Sequence, residues 1–245
     1  MNVIKLNAIS STQTYLKDLI AKQIVENFTV VTAESQTMGR GQMGSQWNSE
    51  SGKNLTMSVL VKDLLLDIEQ IYSLNVAVAI SVITALQTLK IPQLAVKRPN
   101  DIMSANYKIG GILIENSIKS SGEIYSIVGI GINVNQTQFH NLPKASSLIN
   151  VAGNSFDKDQ LMMYIVDNLR SNYFALVNKN TTAIWEKYRG LLFKRFIPMP
   201  FSYTDGYGFK FMGIIQDVTS EGKLKVLLED DTVKYFTIKE ITMLY

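Results

Sequence analysis

The sequence predicts an α+β fold in two parts: a larger unit over residues 1–194 and a small all-β unit over 195–245. Two observations lead to this class. Strand-like runs and helical segments with apolar stripes are interleaved through the first part, so helix and sheet share one core. From about Arg195 the texture changes to short strands separated by turns, as in a small barrel.

In chain order, Val3-Ile4-Lys5-Leu6 reads as a strand, and Ser10-Ser11-Thr12 supplies helix-capping chemistry before a stripe of Tyr15, Leu16, Leu19 and Ile20. The hydroxyls of Ser11 and Thr12 have two readings that spacing leaves equal: they cap the helix or they face a ligand. Phe28 to Val31 is a β-rich run leading into Glu34-Ser35-Gln36-Thr37 and a glycine loop, Gly39-Arg40-Gly41-Gln42-Met43-Gly44. Leu55, Met57, Val59 and Val61 then alternate with Asn54, Thr56, Ser58 and Leu60, which predicts a strand with one buried face. A long helix is expected from about Asp67 to Leu89, and a strand over 94–97 precedes Pro99, whose ring forces a bend. The stretch from Asn106 to Glu115 turns and returns as a strand, and Ile124 to Val134 is another. After a polar loop, Asp157 opens a helix carrying Leu161, Ile165, Leu169, Tyr173 and Leu176, and Thr182 opens a shorter one that buries Trp185. The terminal strands are expected at 199–203, 209–217, 223–228, 233–238 and 241–244, with a turn at Asp205-Gly206 among those between them.

Composition excludes several chemistries. With no cysteine there is no disulfide, thiolate nucleophile or Cys-based zinc site, and a reducing cytoplasm is the simplest fit. His140 is the one histidine and sits in a loop-like Phe139-His140-Asn141-Leu142-Pro143, against a His-dependent triad. A net charge of +3 permits an anionic ligand but falls short of the basic stripe of a dedicated DNA binder. The apolar run Ile71 to Leu89 is interrupted by Ser73, Asn75, Ser81, Thr84, Gln87 and Thr88, which argues for a core helix and against a membrane span. The start of the sequence shows no signal-peptide pattern.

The glycine loop fits G-x-G-x-x-G, yet the dinucleotide version needs a helix opening within the run, and Trp47-Asn48-Ser49-Glu50-Ser51-Gly52 is turn-forming. It reads instead as a mobile loop anchored by strands, offering one guanidinium and one indole. Asn100 and Asp101 are either ordinary turn residues or a carboxamide and carboxylate placed to hold Mg²⁺ or a ribose. Lys108 faces the bare backbone of Gly110 and Gly111, and is either solvated or able to reach across a pocket. Gly129 and Gly131 alternate along one strand and leave either room for a flat ligand or a tightly packed bend.

In this order the pieces closely resemble the biotin protein ligases, over almost the whole chain. Ser11-Thr12-Gln13 is similar to the family's S-T-N, with Gln13 for Asn. Gln36, the run Gly39 to Gly44, and Trp47 match Q-x-x-G-R-G-x-x-G-x-x-W. Lys97-Arg98-Pro99-Asn100-Asp101 matches K-W-P-N-D, Lys108 to Glu115 matches K-[IL]-[AG]-G-I-L-[IV]-E, and Gly129 to Asn133 matches G-x-G-[IL]-N. The resemblance implies a mixed-sheet catalytic domain with an SH3-like C-terminal β-barrel, of the short class without an N-terminal DNA-binding domain, since two residues precede Val3. It implies biotin and ATP as substrates with Mg²⁺, biotinyl-5′-adenylate as the intermediate, and a lysine of a biotin carboxyl carrier domain as acceptor. It further implies a monomer or weak homodimer with no DNA or membrane partner.

By the same resemblance Lys108, Arg40 and Asp101 are catalytic, Asp101 helping to place Mg²⁺. The biotin side is Ser11, Thr12, Gln13, Gln36, Gly39, Arg40, Gly41, Gln42, Lys108, Gly110 and Gly129. The nucleotide side is Arg40, Trp47, Asn100, Lys108 and Asn133. Many relatives carry loop arginines where this chain has Gln42, Met43 and Ser45, so looser retention of the adenylate is expected. Arg98 in place of tryptophan either restores charge or is a tolerated surface change. Three alternatives are weighed: a lipoate ligase or octanoyltransferase on the same fold, a DNA-binding repressor, and a catalytically dead binding module.

Overall fold

The computed structural model describes residues 2–62, 71–118, 124–204 and 208–245. Seven strands form one mixed sheet: β1 (Val3–Ile9), β2 (Val30–Gln36), β3 (Leu55–Lys62), β4 (Leu94–Lys97), β5 (Asp101–Ser104), β6 (Tyr107–Ile118) and β7 (Ile124–Ile132). Their order is β1-β2-β3-β7-β6-β5-β4. β1 and β2 run parallel, joined through helix α1 (Thr12–Lys22), because a parallel pair needs a crossover; the other ladders are antiparallel.

β3 departs from the half-buried strand its alternation suggests, since Leu55 to Val61 are buried on both faces. One face meets helix α2 (Ile71–Thr88), and the other meets α1 through Leu16, Ile20, Val31, Leu60 and Ile127. Its polar residues Thr56 and Ser58 are therefore buried, and Thr56 Oγ1 donates to Ala33 O at 2.7 Å. The expected start of the long helix, 67–70, lies outside the described residues.

α2 is apolar on all sides, and such a helix must be covered on all sides. The sheet, α4 (Lys158–Val177) and α5 (Thr182–Gly190) cover it. Although it is long and apolar enough to cross a membrane, 72% of its residues are buried inside the fold. Its buried hydroxyls are satisfied internally, and Gln87 and Thr88 reach the surface. Ser81 Oγ and Thr84 Oγ1 donate to carbonyls four residues back, at 2.6 and 2.7 Å, and Asn172 donates to Ser81 at 2.8 Å. Asp157 caps α4 by accepting from the amides of Asp159 and Gln160, and Trp185 is buried as expected. Two elements are absent from the sequence reading: β5, and the short α3 (Leu148–Ala152) capped by Ser147.

All five C-terminal strands are present as β8 (Pro198–Tyr203), β9 (Lys210–Val218), β10 (Leu224–Leu228), β11 (Val233–Phe236) and β12 (Ile241–Met243). They form an antiparallel sheet ordered β11-β10-β9-β8-β12, and its ladder is open between β11 and β12 among the described residues. The expected turn at Asp205-Gly206 lies outside those residues. Phe201, Ile215 and Leu224 join the same hydrophobic core as α2 and the large sheet, so the two sheets pack as one body. Burying side chains of this size contributes about 1.5–3 kcal/mol each.

Candidate active site

One cavity of about 350 Å³ runs across the glycine-bearing face of the large sheet and under the edge of the smaller one. At one end lies a polar network. Gln36 Oε1 accepts from the Thr12 amide at 2.8 Å and from Thr12 Oγ1 at 3.1 Å. Thr12 Oγ1 pairs with Ser58 Oγ at 2.8 Å, and Ser58 Oγ donates to Gln13 Oε1 at 3.1 Å. Gln13 Nε2 closes the chain on Ile127 O at 2.9 Å. Ser11 has the extended backbone of an N-cap, but its hydroxyl makes no capping bond, and the residue lines the cavity. Ser11 therefore does not cap the helix with its side chain, and Thr12 is held by Gln36 and Ser58.

At the other end lies a charge cluster. Asp101, on β5, receives Lys108 Nζ at 2.6 Å on one oxygen and Lys97 Nζ at 3.2 Å on the other. The carboxylate side chain is only 15% exposed, so solvent screens these contacts weakly. Lys108 owes its direction to a β-bulge. Residues three apart on a regular strand point to opposite faces, yet the bulge between β5 and β6 carries Lys108 onto the face of Gly111. There its Nζ lies 3.6 Å from where a Gly111 Cβ would stand. The Lys108 backbone is pinned on both sides, donating to Lys144 O and accepting from Ser146 N.

The glycine loop spans the two ends. It closes as a small hairpin through Gly41 N to Ser45 O (2.7 Å) and Trp47 N to Gly39 O (2.9 Å), with a single 3₁₀ turn at Gln42–Gly44. No α-helix opens within it, as the dinucleotide reading would need. The flat space above the β7 glycines is filled by the protein itself. A Cβ on Gly131 would lie 2.5 Å from the Trp47 indole, and one on Gly129 would lie 2.7 Å from Gln13 Oε1. The indole Nε1 is buried without a hydrogen-bond partner among the described residues, and Lys108 Nζ stands 5.9 Å from the ring centre. Arg40 is half exposed and reaches Glu115 at 3.4 Å; the second Glu115 oxygen is buried and unpartnered.

Most of the residues expected from the sequence converge on this cavity: Ser11, Thr12, Gln13 and Gln36; Arg40, Gly41, Gln42 and Trp47; Asn100, Asp101, Lys108 and Gly129. Three do not line it. Gly39 is packed behind the loop against the Trp47 carbonyl, and a Gly110 Cβ would strike Ile132 in the core. Asn133 is buried with its amide donating to Ser146 O, so it supports the Lys108 loop from below. Asn100 lines the cavity, and its Nδ2 is engaged by Ile112 O at 2.9 Å. Asp101 does not fit a protein-held Mg²⁺, because both oxygens face ammonium groups. Among the described residues, no three His, Cys, Asp or Glu converge on a metal position either. Sequence reasoning missed Ser58 as a residue of this cavity. The signal for Ser58 was its place among alternating polar residues on a strand whose second face meets the cavity.

The cavity thus joins a slot of hydroxyls and carboxamides to a lysine–carboxylate cluster, with the glycine loop between them. The model of the biotin/lipoate A/B protein ligase family matches residues 6–135, over half of the chain, and the chain belongs to that family. It is similar to a biotin protein ligase from Aquifex aeolicus solved with biotin and ATP. That likeness has a TM-score of 0.81 at 25% identity, over 99% of this chain and 98% of that one. It is 30% identical over 195 residues to the bifunctional ligase/repressor BirA of Bacillus spizizenii, covering 76% of this chain and 59% of that protein. It is 25% identical to the biotin--[acetyl-CoA-carboxylase] ligase of Mycobacterium tuberculosis, covering 72% of this chain and 66% of that protein. The matched region is thus under two thirds of the length of these curated relatives.

Proposed function

We propose that this chain is an ATP-dependent biotin ligase that forms biotinyl-5′-adenylate and passes the biotinyl group to a lysine of a carboxylase carrier domain. The observation that carries the reading is the Lys97–Asp101–Lys108 cluster set one cavity-length from the Gln36–Thr12–Ser58–Gln13 network. The network suits a ureido ring, which both donates and accepts hydrogen bonds. The cluster is net positive and suits the meeting of a carboxylate with a triphosphate, two anions that repel one another without it.

In the first step a biotin carboxylate oxygen attacks the α-phosphorus of ATP, the bond from that phosphorus to the bridging oxygen breaks, and pyrophosphate leaves. In this reading Lys108 bridges the carboxylate and the α-phosphate, and its 2.6 Å contact with Asp101 supports an orienting role for that carboxylate. ATP arrives as its Mg²⁺ complex, with the phosphates as principal ligands. In the second step the carrier amine attacks the acyl carbon, loses a proton and expels AMP. The glycine loop with Arg40 and Trp47 covers the mixed anhydride and keeps water from it. Residues 1–194 supply the reacting groups, and 195–245 form the outer wall of the cavity, where Ile241 and Met243 line it.

Incubation with biotin, MgATP and a biotin carboxyl carrier domain tests the reading. Labelling of the carrier by the wild-type chain and its loss in Lys108→Ala are expected. An unlabelled carrier, or full labelling by Lys108→Ala, overturns the mechanism.

A further inference from the structure

The turn that bears Asn100 and Asp101 is tied to the five-stranded sheet by its neighbour Arg98. Arg98 Nε donates to Gly222 O at 2.5 Å, and Nη1 lies 3.4 Å from Thr237 O. The Tyr72 hydroxyl, whose pKa the guanidinium lowers against the effect of burial, pairs with the Tyr188 hydroxyl at 2.9 Å. Gly222 has φ +83°, and a Cβ there would run into the Tyr72 ring. Helices α2 and α5, the turn after β4 and the hairpin between β9 and β10 therefore meet around one side chain. Burial pulls the Arg98 pKa down and pushes both tyrosine hydroxyls up, and arginine's high intrinsic value keeps it charged. A half-buried guanidinium is tolerated where fixed acceptors meet its fork.

We infer that Arg98 is a positioning residue: by clamping the β9–β10 hairpin to the 97–101 turn it sets where Asp101 holds Lys97 and Lys108, and so acts on the nucleotide end of the cavity, away from the Gln36–Thr12–Ser58–Gln13 network. The acid half is built from Thr12, Gln13, Gln36 and Ser58, none of which the clamp touches. Tryptophan, the residue the related motif carries here, offers one donor and no charge and cannot span Gly222 O and Thr237 O together. The fold has matched Arg98 with a glycine at 222 that leaves the Tyr72 ring space.

The inference rests on the proposed ligase function, and its test separates the two. Arg98→Ala, Arg98→Lys and Gly222→Ala are compared with wild type for the ATP KM in pyrophosphate exchange, for biotin Kd by calorimetry, and for amide hydrogen exchange over 219–223. In Arg98→Ala the ATP KM is expected to rise about tenfold or more, with biotin Kd within about twofold and faster exchange over the hairpin. Arg98→Lys should recover part of the loss, and Gly222→Ala should reproduce it from the opposite side. Should Arg98→Ala not fold, the same split read in Arg98→Lys and Gly222→Ala decides the matter. An unchanged ATP KM, or equal losses for ATP and biotin, overturns the inference. A wild-type chain with no exchange activity would sink the ligase reading instead, and unaltered hairpin exchange in Arg98→Ala would still overturn the clamp.

Discussion

Gly131→Ala is the substitution whose consequence the geometry states most fully. The added Cβ would stand 2.5 and 2.6 Å from two indole carbons of Trp47 and 2.9 Å from its Nε1. Gly131 is held between Thr56 of β3 and Gly111 of β6, so the strand cannot retreat without disturbing two ladders. The indole must yield instead, and with it the hairpin that Trp47 N closes on Gly39 O. Overpacking of this kind costs about 1–3 kcal/mol. If the strain is relieved by opening the loop, ATP binding weakens by roughly 5- to 150-fold. Gly111→Ala is the internal control: its Cβ would meet Trp47 and Lys108 at 3.4 and 3.6 Å, ordinary van der Waals distances. Calorimetry with ATP, together with tryptophan emission against the constant background of buried Trp185, reads both effects. Equal ATP affinity in Gly131→Ala and Gly111→Ala would refute the claim that this glycine exists to seat the indole.

Other consequences follow from the same contacts. Ser58→Ala leaves Gln13 Oε1 without its buried donor, so about 1–3 kcal/mol of stability and some biotin affinity should be lost while ATP affinity holds; calorimetry with each ligand checks the split. Gln42→Arg restores a loop cation and should slow adenylate release in a chase experiment, by about tenfold for a gain of about 1.4 kcal/mol; release at the wild-type rate would show that Gln42 does not set retention. Tyr72 and Tyr188 both have raised pKa values, chiefly because burial disfavours the phenolate. The folded state therefore keeps protons that the unfolded chain releases from about pH 10, and stability, intact below that pH, falls as pH rises toward the folded values. Tm measured between about pH 9 and 12 should fall less steeply in Tyr188→Phe than in wild type; parallel slopes would count against it.

The strands flanking the glycine loop and the helices starting at about 157 and 182 were legible because periodicity is a local signal, reinforced by the Asp157 cap of the first helix. The recognition of five motifs in register also placed most of the cavity lining. What stayed hidden depends on distant partners. The polar residues of β3 looked like a solvent face, and only the packing of α1 and the cavity over that face shows why Thr56 and Ser58 are buried. The bare glycines of β7 allowed a flat ligand or a tight bend; the actual occupants, an indole and a carboxamide, come from residues far back along the chain. Arg98 was undecidable for the same reason, since its carbonyl partner Gly222 lies 124 residues away. Lys108 faces Asp101 through a bulge that no periodicity announces. Asn133 was expected at the nucleotide, and its side chain instead supports the backbone beneath Lys108.

The central claim is that one cavity joins a biotin carboxylate to the α-phosphate of ATP, and exchange of labelled pyrophosphate into ATP measures that step without any carrier. The account predicts exchange that requires biotin, is lost in Lys108→Ala, and is weak when lipoate replaces biotin. Exchange driven as well by lipoate as by biotin, or no exchange with either acid, would contradict it.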